Sequence, residues 1–277
     1  MRICFTSDIH GNEALYAQLE RLVLHERPEL LILGGDMLPD GRDEDPIGSQ
    51  TEWARAVHLP RLGRWMAALP ALRIAVIHGN HDWLDSARTI EEASDGQRLV
   101  ALDLSHPFSM CGLTFVGFSL SPPTPWTVKD FERLDMPDDE VPAEGGRLSC
   151  NGAARSVDAR ACFAERPPLQ AELSMGCAAR APWVLVSHAP PHNTRLDWLP
   201  NIAWPVGSRA VREFIERRRP LLTLHGHIHE SPTVTGAYQD FVGDSLCINP
   251  GQCTDRLHAV LLDTNDLRGS AWHTVYS

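Results

Sequence analysis

Eight side chains able to bind metal or move protons sit where apolar runs of this chain stop. Asp8 and His10 lie in TSDIHG, Asp36 in GGDM, Asn80 and His81 in HGNHD, His188 in VSHAPP, and His227 and His229 in HGHIH. Five apolar runs that each end in such groups constrain the fold: they describe strands whose carboxyl ends share one edge, where open α/β sheets gather their ligands. Oxygen and imidazole donors from five segments, with no thiolate among them, suit two divalent ions of hard to borderline character rather than a structural zinc.

Between these motifs, short β-rich runs alternate with helical stretches. RICFTS precedes a helix near Glu13 to Glu26, LLILGG a helix near Glu52 to Leu69, and RIAVIHG closes the first third. LTFVGFSL follows, then a helix around Leu169 to Arg180, WVLVSHAP, a helix near Ser208 to Arg218, LLTLHG, and closing strands around Leu246 to Asn249 and His258 to Asp263. Such alternation predicts βαβ units and one layered α/β domain over residues 1–277. From about 121 to 182 the character changes, with SPPTPW, MPDDEVPAEGG and ERPP supplying prolines, glycines and acids. This reads as a loop-rich insertion, either a solvated connection or a lid.

Composition narrows the setting. No apolar run approaches the roughly 20 residues that span a bilayer, and MRICFTSDIHG leaves no room for a cleavable leader, so a soluble, cytoplasmic chain is expected. Seven cysteines, odd in number and without CxxC spacing, fit a reducing compartment. A net charge of −11 disfavours general nucleic-acid binding. Arg217, Arg218 and Arg219 read as the last turn of a helix stopped by Pro220, and Lys129 is the sole lysine.

Residues i and i+2 of an extended strand face one way, so Asp8 with His10, and His227 with His229, can each address one ion. Gly11, Gly35, Gly79 and Gly226 flank these groups and allow sharp turns or close approach. Taken alone, Asp8 fits a helix cap, Asp36 a turn, and His188 a hydrogen-bonded core imidazole. The whole ordered set is not what such accidents produce.

D-I-H, G-D, G-N-H-D, H and G-H-I-H, running from Asp8 to His229, resemble the calcineurin-like metallophosphoesterase superfamily. FSLSPPTPW, SHAPPHN, VGSRAVREFI and INPGQ are similar to a bacterial subgroup of small phosphoesterases. The resemblance implies a layered α/β/β/α sandwich with Asp8, His10, Asp36 and His229 around one ion. Asn80, His188, His227 and a bridging Asp36 would hold the second. Manganese is the first expectation among manganese, iron, zinc, cobalt, nickel and magnesium. The resemblance further implies a hydroxide held between the ions as nucleophile, and His81 contacting the phosphoryl group or protonating the leaving oxygen.

Asp82 either fixes the His81 tautomer or stabilises its imidazolium, or else caps a helix before WLDSA. His192, Asn193 and Arg195 are candidates for the substrate pocket. Trp126 either stacks on a base or aryl leaving group or packs within the core or lid. The expected activity is hydrolysis of phosphodiesters or small phosphomonoesters, the former preferred on the resemblance to small bacterial members and because only Arg195 accompanies the metal motifs. A protein phosphatase is the alternative enzyme, although the D-R-G expected after G-D is absent and Arg42 follows Gly41 instead. A metal-binding scaffold is the alternative outside catalysis.

Overall fold

A computed structural model describes residues 1–42, 44–176 and 182–276 of the chain. Strands β1 (Arg2–Thr6), β2 (Leu30–Gly34), β3 (Arg73–Ile77) and β4 (Leu99–Ala101) pair in parallel, and β13 (Leu257–Asp263) and β14 (Trp272–Tyr276) extend them antiparallel beyond β1. A second sheet of six runs in the order β11 (Gln239–Val242), β12 (Ser245–Ile248), β10 (Leu222–Leu224), β9 (Trp183–Ser187), β6 (Leu113–Phe118) and β5 (Phe108–Met110). Its four middle strands are mutually parallel.

Alternation along each strand decides which way each residue faces. Ile3, Phe5, Leu30, Ile32, Ala75 and Ile77 meet Phe115, Val184, Val186, Leu222, Leu224 and Ile248 in one buried layer between the sheets. The intervening residues face outward and are covered by helices. Cys4, Leu31, Leu33, Ile74 and Val76 pack under α1 (Glu13–Glu26) and α3 (Leu59–Ala68). Val116, Phe118, Leu185 and Cys247 pack under α5 (Leu169–Ser174) and α6 (Arg209–Arg218). The result is the expected α/β/β/α sandwich. Each Phe or Leu of the inner layer contributes about 1.5–3 kcal/mol by burial, which holds the two sets of strand ends in a fixed relation.

Helix α1 matches its expected span, and its cap is Asn12, whose side chain accepts from the Ala14 and Leu15 N–H groups; Asp8 is therefore free of that duty. Helix α6 is capped by Ser208 and ends where Arg219 turns left-handed ahead of Pro220. The helix expected over Glu52 to Leu69 begins earlier, as α2 (Pro46–Trp53) capped by Asp45, and passes through a π turn at Ala54–His58 before α3. Pro60, with no N–H to donate, sits where the regular helix resumes. Helix α4 (Leu84–Ala93) follows β3, and α7 (Ser231–Thr235) follows β10. Of the helix expected to Arg180, residues 177–180 lie outside the described residues, as does Cys177.

The stretch expected to be loop-rich carries an antiparallel hairpin, β7 (Gly146–Cys150) with β8 (Ala153–Val157), a π turn at Arg160–Ala164, and α5. Val128 of this stretch packs with Ile47 of α2 and with Trp83.

Candidate active site

Strands β1, β2, β3, β9 and β10 deliver the predicted donors from their carboxyl ends, but one geometric expectation needs correction. Asp8 and His10 do not alternate along a strand, because β1 ends at Thr6; His227 and His229 likewise follow the end of β10 at Leu224. Tight turns present them instead. Asp8, His10, Asp36 and His227 all have positive φ, at 59°, 49°, 52° and 67°. That conformation costs non-glycine residues on the order of 1 kcal/mol each. The turns are held by N–H groups of Asp8 and His10 donating to the carbonyls of Gly35 (3.0 Å) and Asp36 (2.9 Å), and by the His227 N–H donating to the Asp8 carboxylate (3.0 Å).

Glycine is required at two crossing points. A Cβ at Gly79 would lie 2.3 Å from Asp36 Oδ1 and 2.6 Å from His188 Cε1. One at Gly226 would lie 1.9 Å from Ser7 Oγ and 2.3 Å from Asp8 Oδ2.

The donors converge in two sets. In the first, His229 Nε2 lies 3.2 Å from Asp8 Oδ1 and 3.3 Å from His10 Nε2. In the second, Asn80 Oδ1 lies 2.8 Å from His227 Nδ1 and 3.2 Å from His188 Nε2, which is also 3.2 Å from Asp36 Oδ2. Asp8, Asp36 and His188 form a further close group of donor atoms, so Asp8 takes part on both sides. Burial pushes the Asp36 carboxyl up, yet His188, His81 and His10 together hold it well below the usual carboxylate range. It therefore lies in the field of both sets.

The polarity of these groups fits a bound cation. His188 Nδ1 donates to the Gly34 carbonyl (2.9 Å), which can only accept, so Nε2 of a neutral ring presents a lone pair to the oxygens of Asp36 and Asn80. Three lone pairs pointed at one another in a buried site repel unless a positive charge lies among them. In the metal-free protein a proton takes that place: burial pushes His188 down, but Asp36 and then Asp8 raise it to about 9. Asp8 is lowered to about 2, burial being outweighed by His229 and His188. His227, held by burial and by His188 at about 3, stays neutral, as a metal ligand must.

His81 stands beside the two sets. Its backbone N–H donates to Asp36 Oδ1 (2.8 Å), and its Nδ1 pairs with Asp40 Oδ1 (2.8 Å), leaving Nε2 without a partner among the described hydrogen bonds. Burial lowers the His81 pKa, but the Asp40 hydrogen bond and the charges of Asp36 and Asp40 leave it raised. Asp82 makes no described hydrogen bond to His81, although its charge is among those that raise the His81 pKa. Its Oδ2 accepts from the N–H groups of Gly79 (2.9 Å) and Asp36 (3.3 Å), while the α4 cap position is Trp83 and the Leu84 N–H that opens the helix donates to the Asp130 carboxylate (2.9 Å). Burial and Asp36 raise the Asp82 carboxyl to about 6. It props the two turns that carry the donors. Asp40 gave little signal in the sequence, being one acid among several in PDGRDEDP.

Trp126 is in the site, stacked on His81 with ring centroids 4.1 Å apart and planes at 16°. His192, Asn193 and Arg195 have no described hydrogen bond to the metal-donor side chains. The His192 and Asn193 carbonyls accept from Arg212, the Asn193 N–H donates to Asp197, and the Arg195 guanidinium donates to the Thr235 carbonyl. His78 pairs with Glu91, and His225 is fully buried against the Ser187 and Ala189 carbonyls and Thr223 Oγ1.

The family model described as calcineurin-like phosphoesterase matches residues 1–231. No curated protein matches the sequence. One crystal structure, 14% identical, superposes with a TM-score of 0.66 over 100% of this chain and 99% of its own. TT1561 of Thermus thermophilus, 17% identical, gives 0.57 over 99% of this chain and 98% of its own. A dimetal phosphatase from Danio rerio, 15% identical, gives 0.50 over 100% of this chain and 99% of its own. At these identities the likeness is one of fold.

Proposed function

The chain belongs to the calcineurin-like phosphoesterase family, and on that premise we propose that it is a metal-dependent hydrolase of phosphodiesters or small phosphomonoesters, with diesters preferred. The observation that carries this reading is the convergence of Asp8, His10 and His229 on one side and Asn80, His188 and His227 on the other, with Asp36 in the field of both. Two divalent ions held there would polarise phosphoryl oxygens and lower the pKa of bound water.

The chain's own contribution is positional and protic. Asp36 is the proposed bridge, since its carboxylate has two oxygens to share. Asp40 accepts the Nδ1 proton of His81, so that Nε2 is the atom able to give a proton to the departing oxygen. Diester preference rests on charge. The cavity of about 280 Å³ beside His81 includes one cation, Arg147, and one acid, Asp40, and so offers little to balance a dianionic monoester. The donor set accepts any of the six metals named above, and manganese is the ion to test first. A cytoplasmic site of action belongs to the same reading and is supported by the free thiols of the described cysteines. No described helix is long and apolar enough to cross a membrane.

The test is hydrolysis of bis(p-nitrophenyl) phosphate against p-nitrophenyl phosphate by metal-stripped protein reconstituted with single divalent ions, with Asp36→Asn as control. Faster metal-dependent release from the diester supports the proposal. Equal rates for wild type and Asp36→Asn would reject the assigned site, and silence on both esters with two metals bound would favour a scaffold.

A further inference from the structure

Hydrogen bonding alone does not hold an imidazole in place: a bond to Nδ1 fixes one direction, and the ring can still tilt about it. For His81 the plane is also set. Trp126 covers one face at 4.1 Å, and the His10 ring meets His81 edge-on, with centroids 4.6 Å apart and planes at 76°. With one Trp126 face on His81, the indole acts on the imidazole rather than offering that face to a substrate ring.

Trp126 is itself held by unusual means. Its Nε1 is buried and has no hydrogen-bond partner among the described residues, so the indole is held by its backbone, by its stack on His81 and by packing against Ile47, Trp83 and Val128. The backbone is clasped by the chain's only lysine, Lys129, whose side chain is 2% exposed. An ammonium has three hydrogens, and three acceptors surround this one: the Thr124 carbonyl (2.8 Å), the Trp126 carbonyl and Glu132 Oε2 (2.7 Å). Glu132, fully buried, accepts in turn from the Thr124 N–H (3.0 Å) and hydroxyl (2.5 Å), and Thr124 Oγ1 accepts the Trp126 N–H (3.1 Å). Ser121 closes the base of the loop by pairing with Phe131 and Arg133. The Thr124 N–H, hydroxyl and carbonyl and the Trp126 N–H and carbonyl therefore lead back to one buried ion pair. A substrate-responsive lid has no need of so costly an anchor.

We propose that Trp126, clasped by Lys129 and Glu132, is a positioning residue that sets the plane of His81 and aims its Nε2 at the leaving-group oxygen, so that residues 121–133 form a fixed wall of the active site. The proposal rests on the hydrolase reading for its chemistry, though the ring geometry can be tested without it.

The test compares wild type, Trp126→Ala, Trp126→Phe and the double variant Lys129→Met/Glu132→Gln, with metal content measured, loaded for kinetics with whichever of the six divalent ions gives wild type the fastest turnover and for NMR with zinc. Aryl phosphodiesters of graded leaving-group basicity are hydrolysed, and the His81 ring protons are followed by NMR, assigned by their loss in His81→Gln. A proton donor matters most for poor leaving groups. Trp126→Ala should therefore lose at least about tenfold more kcat on the poorest ester than on the best, a fraction of the 10²–10⁴ typical of general acid catalysis. Trp126→Phe should restore most of it. His81 should show an upfield ring-current shift in wild type that vanishes in Trp126→Ala and weakens in the double variant. Equal losses on all esters, or a wild-type ring without that shift, would overturn the proposal. A double variant identical to wild type in both readouts would overturn the clasp. If wild type hydrolyses no ester, the hydrolase reading falls and the ring shift alone decides the positioning.

Discussion

Removing the ammonium of Lys129 should cost the protein several kcal/mol, with a pH dependence that identifies the cause. In Lys129→Met the Glu132 carboxylate keeps the Thr124 N–H and hydroxyl but loses its countercharge, in a place where its side chain is 0% exposed. The folded chain can relieve an unpaired buried charge by protonating it, and this sets a ceiling on the penalty. At about 1.36 kcal/mol per pH unit above an unfolded pKa near 4.3, neutralising a glutamate at pH 7 costs at most about 3.7 kcal/mol. The stranded carbonyls of Thr124 and Trp126 add roughly 1 kcal/mol each, independent of pH. A loss of about 3–5 kcal/mol at pH 7 follows, in line with other broken buried pairs.

The sign of the pH dependence is fixed by the same reasoning. Burial already raises Glu132, with Lys129 pulling the other way; without the lysine its folded pKa rises further. A group whose folded pKa exceeds its unfolded value favours the folded state while protonated. The electrostatic part of the deficit is therefore absent near pH 4 and grows as pH rises towards the new folded pKa. Urea unfolding of variant and wild type between pH 4.5 and 7.5 measures it. The difference should shrink by about 3 kcal/mol on acidification, and Lys129→Met/Glu132→Gln should abolish that pH-dependent part. A deficit that is flat with pH, or below about 1 kcal/mol at pH 7, would refute the assignment of the pair as the anchor of this loop.

Asp36→Asn halves the charge available between the donor sets and should lower both metal occupancy, read by elemental analysis, and turnover by roughly 10²-fold or more; full turnover at full occupancy would remove Asp36 from the mechanism. Asp40→Asn deletes the hydrogen bond and charge that help raise His81. Because the protonated ring is the donor, turnover of poor leaving groups falls as pH rises through its pKa, and that basic limb should move to lower pH in the variant; an unmoved pH–rate profile would sink the pairing. Gly79→Ala pushes a methyl against Asp36 and His188, and should weaken metal binding about 10–100-fold by calorimetry. Unchanged affinity would mean that these donors do not hold the ion.

How far the sequence carried the site depends on how each residue is placed. The seven proposed metal donors were legible because each hangs just beyond an apolar strand run, and a run of β-branched and leucine residues states its own direction and end. Even there, the turn that presents Asp8 and His10 was invisible: strand alternation predicts the same i, i+2 pairing that two left-handed residues produce by another route. Asp40 and His81 are 41 residues apart, and their contact exists only because the turns after β2 and β3 lie side by side. Nearness in sequence instead favoured Asp82, whose carboxylate faces the other way, onto the backbone of Gly79 and Asp36. Lys129 shows the same limit from composition. Its solitude could be counted, but lysine is so seldom buried that its ordinary reading is a solvated surface charge. Only the fold reveals that its three hydrogens are all spent on one loop, the loop that carries Trp126 to His81.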